Sequence, residues 1–248
     1  MNEQLSKSEI RSILLELAIY LDKLCKTEQI DYLIFYGTLL GAVRHSGFIP
    51  WDDDIDIVMF EEDVTQLIDV FENYPHPHIK LLCAKTNKKY QDWVVRLVDT
   101  RTVVQESLTG QQTSNTGLLD EPLGLALDIY PLLGGFNNKI FQKMLAALYV
   151  IDFKCRSSFP KFKIIYYMAE LLRKCSAKSS YFTRADYRLT YKQSELLPSN
   201  KTVFENHIFH APSDPHALLT KRYGDYMTLP NEDEIAKWLH YETVYWKN

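Results

Sequence analysis

Four aspartates fall within five consecutive positions, directly before an apolar run. They are Asp52, Asp53, Asp54 and Asp56. A core strand cannot bury several unpaired carboxylates, because each ionised group would lose its hydration. A divalent cation would remove this conflict, since Mg²⁺ is usually held by one or two carboxylates together with substrate phosphates. These residues therefore predict a metal-dependent enzyme that acts on a phosphate compound.

The alternation of side chains along a strand decides which of these acids can act together. Alternate residues point to the same face, so Asp54 and Asp56 should project together while the apolar residues between and after them enter the core. Asp52 has the same parity and could lie beside them, whereas Asp53 is expected in solvent or behind the metal-binding acids. The alternative is a solvated acidic turn before an ordinary strand, since charge runs are usually solvated.

A glycine turn and a short helix upstream favour a site over a solvated turn. Gly37 and Thr38 follow an apolar run, and a glycine there lets a phosphate approach the backbone. A helix opening at residues 38–45 would direct its N–H groups at an anion. The basic and aromatic residues beside these features are Arg44, His45 and Trp51.

Other polar and aromatic residues leave alternatives open. Arg96 could grip a phosphate through its planar guanidinium, or form an ordinary ion pair at a sheet edge. The pairs His76/His78 and His207/His210 have no further Cys or His at a zinc-binding interval, which favours loop and surface roles. The aromatic residues could form a cage for a quaternary ammonium group or belong to the core.

The segment GTLLGAVRHSGFIPWDDDIDI resembles the signature of the LicD family, which has the nucleotidyltransferase fold. A later segment, YGDYMTLP at residues 223–230, resembles another element of that family, and the likeness extends from about residue 10 to residue 240. The acids that the resemblance implies as catalytic residues and metal ligands are Asp54, Asp56 and Asp128. The candidate substrate-binding residues are Gly37, Thr38, Arg44, His45, Trp51, Asp52 and Arg96.

The resemblance implies an activity and a cofactor. It implies transfer of a phosphoryl-alcohol group, such as phosphocholine or ribitol phosphate, from a CDP-linked donor to a sugar hydroxyl of a glycan or lipid-linked glycan. The acceptor would be a cell-surface precursor of lipopolysaccharide, teichoic acid or capsule, and the metal Mg²⁺, with Mn²⁺ as the alternative. Two rivals remain: a nucleotidyltransferase that attaches NMP to a small molecule or protein, and a non-catalytic nucleotide-binding module.

Hydrophobic periodicity predicts a fold of the α/β or α+β class. We expect a nucleotidyltransferase-like mixed sheet flanked by helices, with a catalytic core at residues 1–135. Residues 136–248 should form a helical C-terminal part that packs on the core within one continuous LicD domain. The predicted helices cover residues 8–27 and 63–73, and the predicted strands cover residues 31–36, 54–60, 79–84, 93–98, 102–105 and 125–131.

Composition narrows the partners and the compartment. The chain is 46% hydrophobic and 24% charged, as soluble globular proteins are. A net charge of −4 argues against nucleic acid as a partner. The four cysteines are far apart, and no secretory signal or 18-residue apolar run is present. We therefore expect a cytoplasmic protein.

A basic segment at residues 139–178 stands out in this acidic chain. It is either a solvated helical face or a peripheral surface that meets anionic lipid or a lipid-linked acceptor at the inner face of the membrane. Its basic residues are Lys139, Lys143, Lys154, Arg156, Lys161, Lys163, Arg173, Lys174 and Lys178.

Overall fold

The computed structural model describes residues 3–90, 92–106, 123–136, 180–184, 189–231 and 241–247, with separate positions between 138 and 172 and at 235. The helices of this part are α1 (Lys7–Glu28), α2 (Tyr36–His45), α3 (Glu61–Asn73), α4 (Gln193–Leu196) and α5 (Pro215–Tyr223). The strands are β1 (Leu33–Ile34), β2 (Asp56–Phe60), β3 (Ile79–Leu82), β4 (Val95–Asp99), β5 (Thr102–Glu106), β6 (Ala126–Gly134), β7 (Tyr181–Arg184), β8 (Thr190–Lys192), β9 (Asn200–Phe204), β10 (His207–Ala211) and β11 (Tyr241–Trp246).

A central mixed sheet organises the described residues. Its strand order is β1-β2-β6-β4-β3, and β7 pairs with the far end of β6 and carries β8. The β2–β6 pair is parallel, whereas the other pairs are antiparallel. Two separate antiparallel pairs, β9–β10 and β5–β11, complete the strands. The expected fold class, a mixed sheet with helices against it, is confirmed.

The two faces of the sheet are covered by different cores. Ile57 and Ile129 belong to a large, mainly aliphatic cluster together with residues of α1 and α3. Their chain neighbours Val58 and Tyr130 belong to a smaller cluster that is rich in aromatic residues. Strand alternation explains the division, since neighbouring residues point to opposite faces. Asp56 and Asp128 share the parity of Val58 and Tyr130, and so they belong to the aromatic face.

Helix α1 forms where the periodicity predicts it. The Ser6 side chain accepts a hydrogen bond from the Glu9 backbone N–H, and the Glu9 carboxylate accepts one from the Ser6 N–H, which closes a capping box. Leu14 and Leu21 lie on one stripe of the helix and are fully buried. This stripe packs against β4 and β6, so α1 covers the aliphatic face of the sheet.

The predicted elements are present with small shifts of their ends. The largest shift is at residues 31–36, where the strand is only Leu33–Ile34 because Tyr36 adopts a positive φ of 42° and begins α2. Beyond residue 136 the described residues include helical positions, but also strands β7 to β11, so this part is less uniformly helical than expected. The predicted loop at residues 111–121 lies outside the described residues, and the division at residue 135 stays a prediction.

In the part of the chain that the structure describes, no helix combines the length and the apolar character that a membrane crossing requires.

Candidate active site

A row of three charged side chains crosses the sheet. Asp56 on β2 pairs in register with Asp128 on β6, and Asp128 pairs in register with Arg96 on β4. Paired residues on adjacent strands point to the same face, and the strands are about 4.8 Å apart. Arg96 Nε donates a hydrogen bond of 3.0 Å to Asp128 Oδ1, and each of the three residues is 7% exposed or less. The sheet thus brings together two acids that are distant in sequence.

The start of α2 holds the Asp56 side of this row. The Gly37 N–H donates to Asp56 Oδ2 at 3.2 Å, and the Asp56 N–H donates to Thr38 Oγ1 at 2.7 Å. A Cβ atom at position 37 would lie 2.8 Å from Asp52 Oδ2 and 3.6 Å from Asp56 Oδ2, so a larger residue there would push the Asp52 carboxylate away. A carboxylate of the protein therefore occupies the place that the sequence analysis assigned to a phosphate. Phosphate contact by Gly37 and Thr38 stays a prediction.

The remaining acids gather around Asp54, which is half-buried just before β2. Burial raises the pKa of Asp54 well above its usual range, and the negative charges of Asp52, Asp56, Asp53 and Asp128 raise it further. Such mutual repulsion favours either a proton or a metal cation in the cluster. The cluster is therefore poised to bind a positive charge.

Burial decides between the two expected places of Asp53. It is only 5% exposed, so the expectation of a solvent position is wrong. The reason is that α1 covers this side of the acidic segment, and the Lys7 ammonium lies close enough to interact with both Asp53 and Asp52. Asp53 thus lies behind the acids that face the site.

The arrangement fits a metal that is shared with a substrate. Among the described residues, no three His, Cys, Asp or Glu side chains form a closed ligand cluster. Mg²⁺ commonly takes only one or two carboxylates and completes its shell with water and substrate phosphates. The repulsion around Asp54 shows that the donor set is anionic and oxygen-rich, as a hard cation requires. A metal ion held by Asp54 and Asp56 stays a prediction.

Two residues that sequence reasoning missed fix the segment between α2 and the acids. Arg11 on α1 donates through Nη2 to the carbonyl oxygens of Ile49 at 2.6 Å and of Asp52 at 3.2 Å. Glu205 accepts a hydrogen bond of 2.9 Å from the Phe48 N–H through Oε1, and its own N–H donates to the Ser46 oxygen at 3.1 Å. The segment is therefore held from both sides by charged side chains.

Glu205 reaches this segment from the tip of the β9–β10 hairpin. Glu205 and Asn206 form the two-residue turn and both have positive φ angles, 48° and 62°. A Cβ atom at position 47 would lie only 2.2 Å from Glu205 Oε1, so Gly47 leaves the space that this carboxylate occupies. No local pattern in the sequence links positions 47 and 205, which is why the contact was not predicted.

The two predicted basic residues at the end of α2 form one group with Trp51, which lies in the segment after that helix. Arg44 Nε donates to His45 Nε2 at 3.0 Å, and its guanidinium lies 5.8 Å from the centre of the Trp51 ring. Burial lowers the pKa of His45, and the charge of Arg44 lowers it further, so the imidazole is neutral at neutral pH and accepts this hydrogen bond. Arg44 Nη1 also donates a hydrogen bond of 2.8 Å to the backbone carbonyl oxygen of Tyr226, which ties α2 to the segment after α5.

Other predicted residues have structural surroundings. His76 Nδ1 accepts hydrogen bonds from the N–H groups of His78 and Ile79, and His210 Nδ1 lies 3.2 Å from Ser199 Oγ. These contacts agree with the loop and surface roles. Aromatic rings beside the site contact cationic side chains of the protein itself. The Arg44 guanidinium, for example, lies over the Trp51 ring. An ammonium cage stays a prediction.

Known proteins resemble the part of the chain that carries this geometry. The family model "LicD/FKTN/FKRP, nucleotidyltransferase domain" matches residues 29–108. The lipopolysaccharide cholinephosphotransferase LicD of Haemophilus influenzae is 27% identical, with 94% of this chain and 95% of that protein covered. The human ribitol 5-phosphate transferase FKRP is 41% identical over 49 residues, which are 20% of this chain and 10% of FKRP. The matched span includes the glycine turn and the acids from Asp52 to Asp56, so residues 29–108 carry a domain of the LicD family model and the resemblance predicted from the sequence is confirmed.

Proposed function

We propose that the chain is a metal-dependent phosphotransferase that moves a phosphoryl-alcohol group from a CDP-linked donor to a hydroxyl group of a glycan. The observation that carries this proposal is the in-register row of Asp56, Asp128 and Arg96 in a chain related over nearly its whole length to a cholinephosphotransferase. The relatives' names agree on phosphoryl-alcohol transfer and differ in the alcohol, choline in one and ribitol in the other.

The proposed reaction is a single displacement at the phosphorus next to the alcohol. The glycan hydroxyl oxygen forms a new bond to that phosphorus, the bond to the bridging oxygen breaks, and CMP leaves with the electron pair. The hydroxyl proton passes to a base. Such a reaction depends on positioning and on charge stabilisation, and it needs no covalent intermediate with the protein.

The acids have separate parts in this proposal. Asp54 and Asp56 would hold Mg²⁺, or Mn²⁺ as the alternative, and a metal bound there would stabilise negative charge on the phosphate oxygens. Asp128 completes the metal site or accepts the hydroxyl proton. Arg96 orients Asp128 through the 3.0 Å hydrogen bond and keeps positive charge beside it. Asp52 lies against Gly37 and supports the acids from the other side.

The α2 helix would bind the rest of the donor. Arg44 offers positive charge near the acids, the neutral His45 offers a hydrogen-bonding imidazole, and Trp51 provides an aromatic surface beside them. The Gly37 and Thr38 turn aligns Asp56 directly. Arg44 is anchored to the Tyr226 oxygen, so it is held in place before any donor binds.

CMP release tests this proposal. The purified protein is incubated separately with CDP-choline, CDP-ribitol and CDP-glycerol, with Mg²⁺ and with EDTA, while CMP is quantified. We expect EDTA-sensitive CMP release or binding with one of these donors. The control variant is Asp69→Asn, because Asp69 is an exposed acid on α3 that pairs with Lys85.

The rival functions give other outcomes. Consumption of an NTP with an NMP adduct as product would replace the proposal with a nucleotidyltransferase. Nucleotide binding without turnover under any of these conditions would favour a non-catalytic module.

A peripheral membrane contact is a further part of the proposal. Helical positions between residues 140 and 171 carry large apolar side chains that are 42–76% exposed. They are Ile140, Phe141, Met144, Ile151, Ile164, Tyr167, Met168 and Leu171. The same stretch of sequence is rich in lysine and arginine, and a surface that is both apolar and basic suits an anionic bilayer. Such a contact would place the protein at the inner face of the membrane, next to a lipid-linked glycan.

Vesicle sedimentation tests the membrane contact. We expect binding to vesicles that contain phosphatidylglycerol, weaker binding as salt rises, and none to pure phosphatidylcholine. Leu171→Ser with Ile140→Ser should weaken binding. Val203→Ser, at an exposed position of β9, should not. Equal binding by the double variant and the control would exclude this surface.

A further inference from the structure

Arg222, on the last turn of α5, has no role in the site as described above. Its guanidinium lies 5.7 Å from the centre of the Tyr36 ring and 5.7 Å from that of the Tyr223 ring. The side chain is exposed, and among the described residues its guanidinium has these rings as partners but no carboxylate. An arginine in this position has donors to offer to a ligand.

The neighbouring lysine makes a useful contrast. Lys221 Nζ donates to Glu195 Oε2 at 2.7 Å and to the backbone carbonyl oxygen of Thr190 at 3.2 Å. The ammonium group of Lys221 therefore stabilises the contact between α5 and α4. Arg222 follows directly in the chain, and its guanidinium lies near the rings of Tyr36 and Tyr223 instead of near a carboxylate of the described residues. Two adjacent cations of one helix are thus used differently.

The contacts of Arg222 place it at the rim of the acidic site. Tyr36 precedes Gly37, whose N–H donates to Asp56. Tyr223 lies close enough to the acids for the charge of Asp56 to raise the pKa of its phenol, after the larger effect of burial. The segment after α5 is fixed to the other end of α2 by the hydrogen bond from Arg44 to the Tyr226 oxygen. Arg44 and Arg222 therefore approach the site from the two ends of the same helix.

We propose that Arg222 contacts the diphosphate of the donor and is a substrate-binding residue of this site. The inference rests on the proposed function, since it assumes a donor with a diphosphate. A guanidinium stacked on an aromatic ring still presents the N–H groups at its edge, and two of them match two phosphate oxygens. Stacking on Tyr36 and Tyr223 also restricts the side chain before binding, which lowers the entropic cost of the contact.

The geometry also explains why a cation is needed there. A diphosphate that approaches a cluster of carboxylates is repelled until positive charge offsets it. A metal ion held by the acids would supply part of that charge. Arg96 is already engaged with Asp128, and Arg11 holds backbone oxygens. Arg222 supplies positive charge at the beginning of α2, beside the Tyr36 ring, whereas Arg44 lies at the end of that helix.

Steady-state kinetics on the full chain tests this role. The donor is whichever of CDP-choline, CDP-ribitol and CDP-glycerol the wild-type protein turns over with Mg²⁺. Arg222→Gln should raise the KM for that donor about 10- to 100-fold, the range expected for the loss of a charge-assisted hydrogen bond. Arg222→Lys keeps the positive charge but loses the paired N–H donors of the guanidinium, so we expect a KM between those of the wild type and Arg222→Gln.

Two measurements separate a substrate contact from a structural effect. Mn²⁺ binding, followed by electron paramagnetic resonance without donor, should be unchanged in Arg222→Gln, and the melting temperature should match that of the wild type. Lys80→Gln removes one exposed positive charge from β3 and should leave the KM unchanged.

The outcomes distinguish this inference from the function on which it depends. A KM within twofold of wild type in Arg222→Gln, while the wild type releases CMP, would overturn the role of Arg222 alone. So would a fall in kcat at unchanged KM. If the wild-type protein neither binds nor cleaves any of the three donors, the proposed function and this assignment are both wrong.

Discussion

The two faces of the central sheet are built from different residues and serve different purposes. One face is covered by α1 and α3 through aliphatic side chains such as Leu14 and Leu67, which are completely buried. The other face carries Tyr130 and Tyr191 beside the row of Asp56 and Asp128. Aliphatic packing stabilises without offering polar atoms, whereas tyrosines combine bulk with hydroxyl groups near a charged site. The contrast indicates that stability and chemistry are assigned to opposite sides of the same strands.

The largest expected effect breaks the chemistry on the aromatic face. Asp56→Asn keeps the size of the side chain and an acceptor for the Gly37 N–H, but it removes the charge that a metal requires. CMP release should fall at least about 1,000-fold, which is about 4 kcal/mol of activation free energy. Calorimetry should show a melting temperature no lower than that of the wild type. More than a tenth of the wild-type rate would exclude Asp56 as a metal ligand.

The matching change on the aliphatic face should affect stability alone. Leu67→Ala removes a fully buried side chain of α3 and leaves a cavity in the aliphatic cluster. We expect a loss of about 2–5 kcal/mol in the free energy of unfolding, measured by urea titration. At a temperature where the variant is folded, kcat should stay within about twofold of wild type. A large loss of kcat there would show that the two faces are not separate.

The hairpin contact sharpens the comparison with a smaller effect. Glu205→Ala removes the acceptor of the Phe48 N–H, so the segment leading to the acids loses one anchor. We expect CMP release to fall about 10-fold, consistent with one lost hydrogen bond to a charged group. Glu205→Gln keeps an acceptor and should recover most of the rate. If Glu205→Gln were as impaired as Glu205→Ala, the geometry of this hydrogen bond would not be what matters.

The smallest predicted effect is a gain in stability, whereas the preceding variants lose activity or stability. Because the pKa of Asp54 is raised in the folded state, its ionised form is disfavoured there. Its contribution to stability is therefore greatest below the unfolded-state pKa and is lost as pH rises towards and through the raised value. Without metal at pH 7, Asp54→Asn should raise the melting temperature by about 2–4 °C, or about 1 kcal/mol.

Mg²⁺ provides the control for this last prediction. It should stabilise the wild-type protein more strongly as pH rises, because a metal ligand must be ionised, and should stabilise Asp54→Asn much less. Scanning fluorimetry from pH 5 to 8 with and without Mg²⁺ measures both effects. A variant less stable than wild type in EDTA would contradict the repulsion around Asp54.

The parts of the fold that depend on neighbouring residues could be predicted from sequence. Helix α1 follows from its capping box and apolar stripe, and the acids stand out because local alternation places them at the start of a strand. The parts that depend on distant contacts could not. Arg11 reaches a backbone segment 38 positions away, and Glu205 reaches one 157 positions away. Neither contact leaves a pattern of spacing, and Arg222 was missed for the same reason.

The parallel pairing of β2 and β6 has a consequence for how the protein matures. Parallel strands cannot be joined by a tight turn, and here α3, β3, β4 and β5 lie between the two that carry Asp56 and Asp128. During synthesis the first acids emerge well before their partner, and the pairing must wait until a long stretch of chain has been closed into a loop. The row of Asp56, Asp128 and Arg96 therefore cannot assemble before β6 has been synthesised, and a chain that ends before β6 lacks one of its two acids.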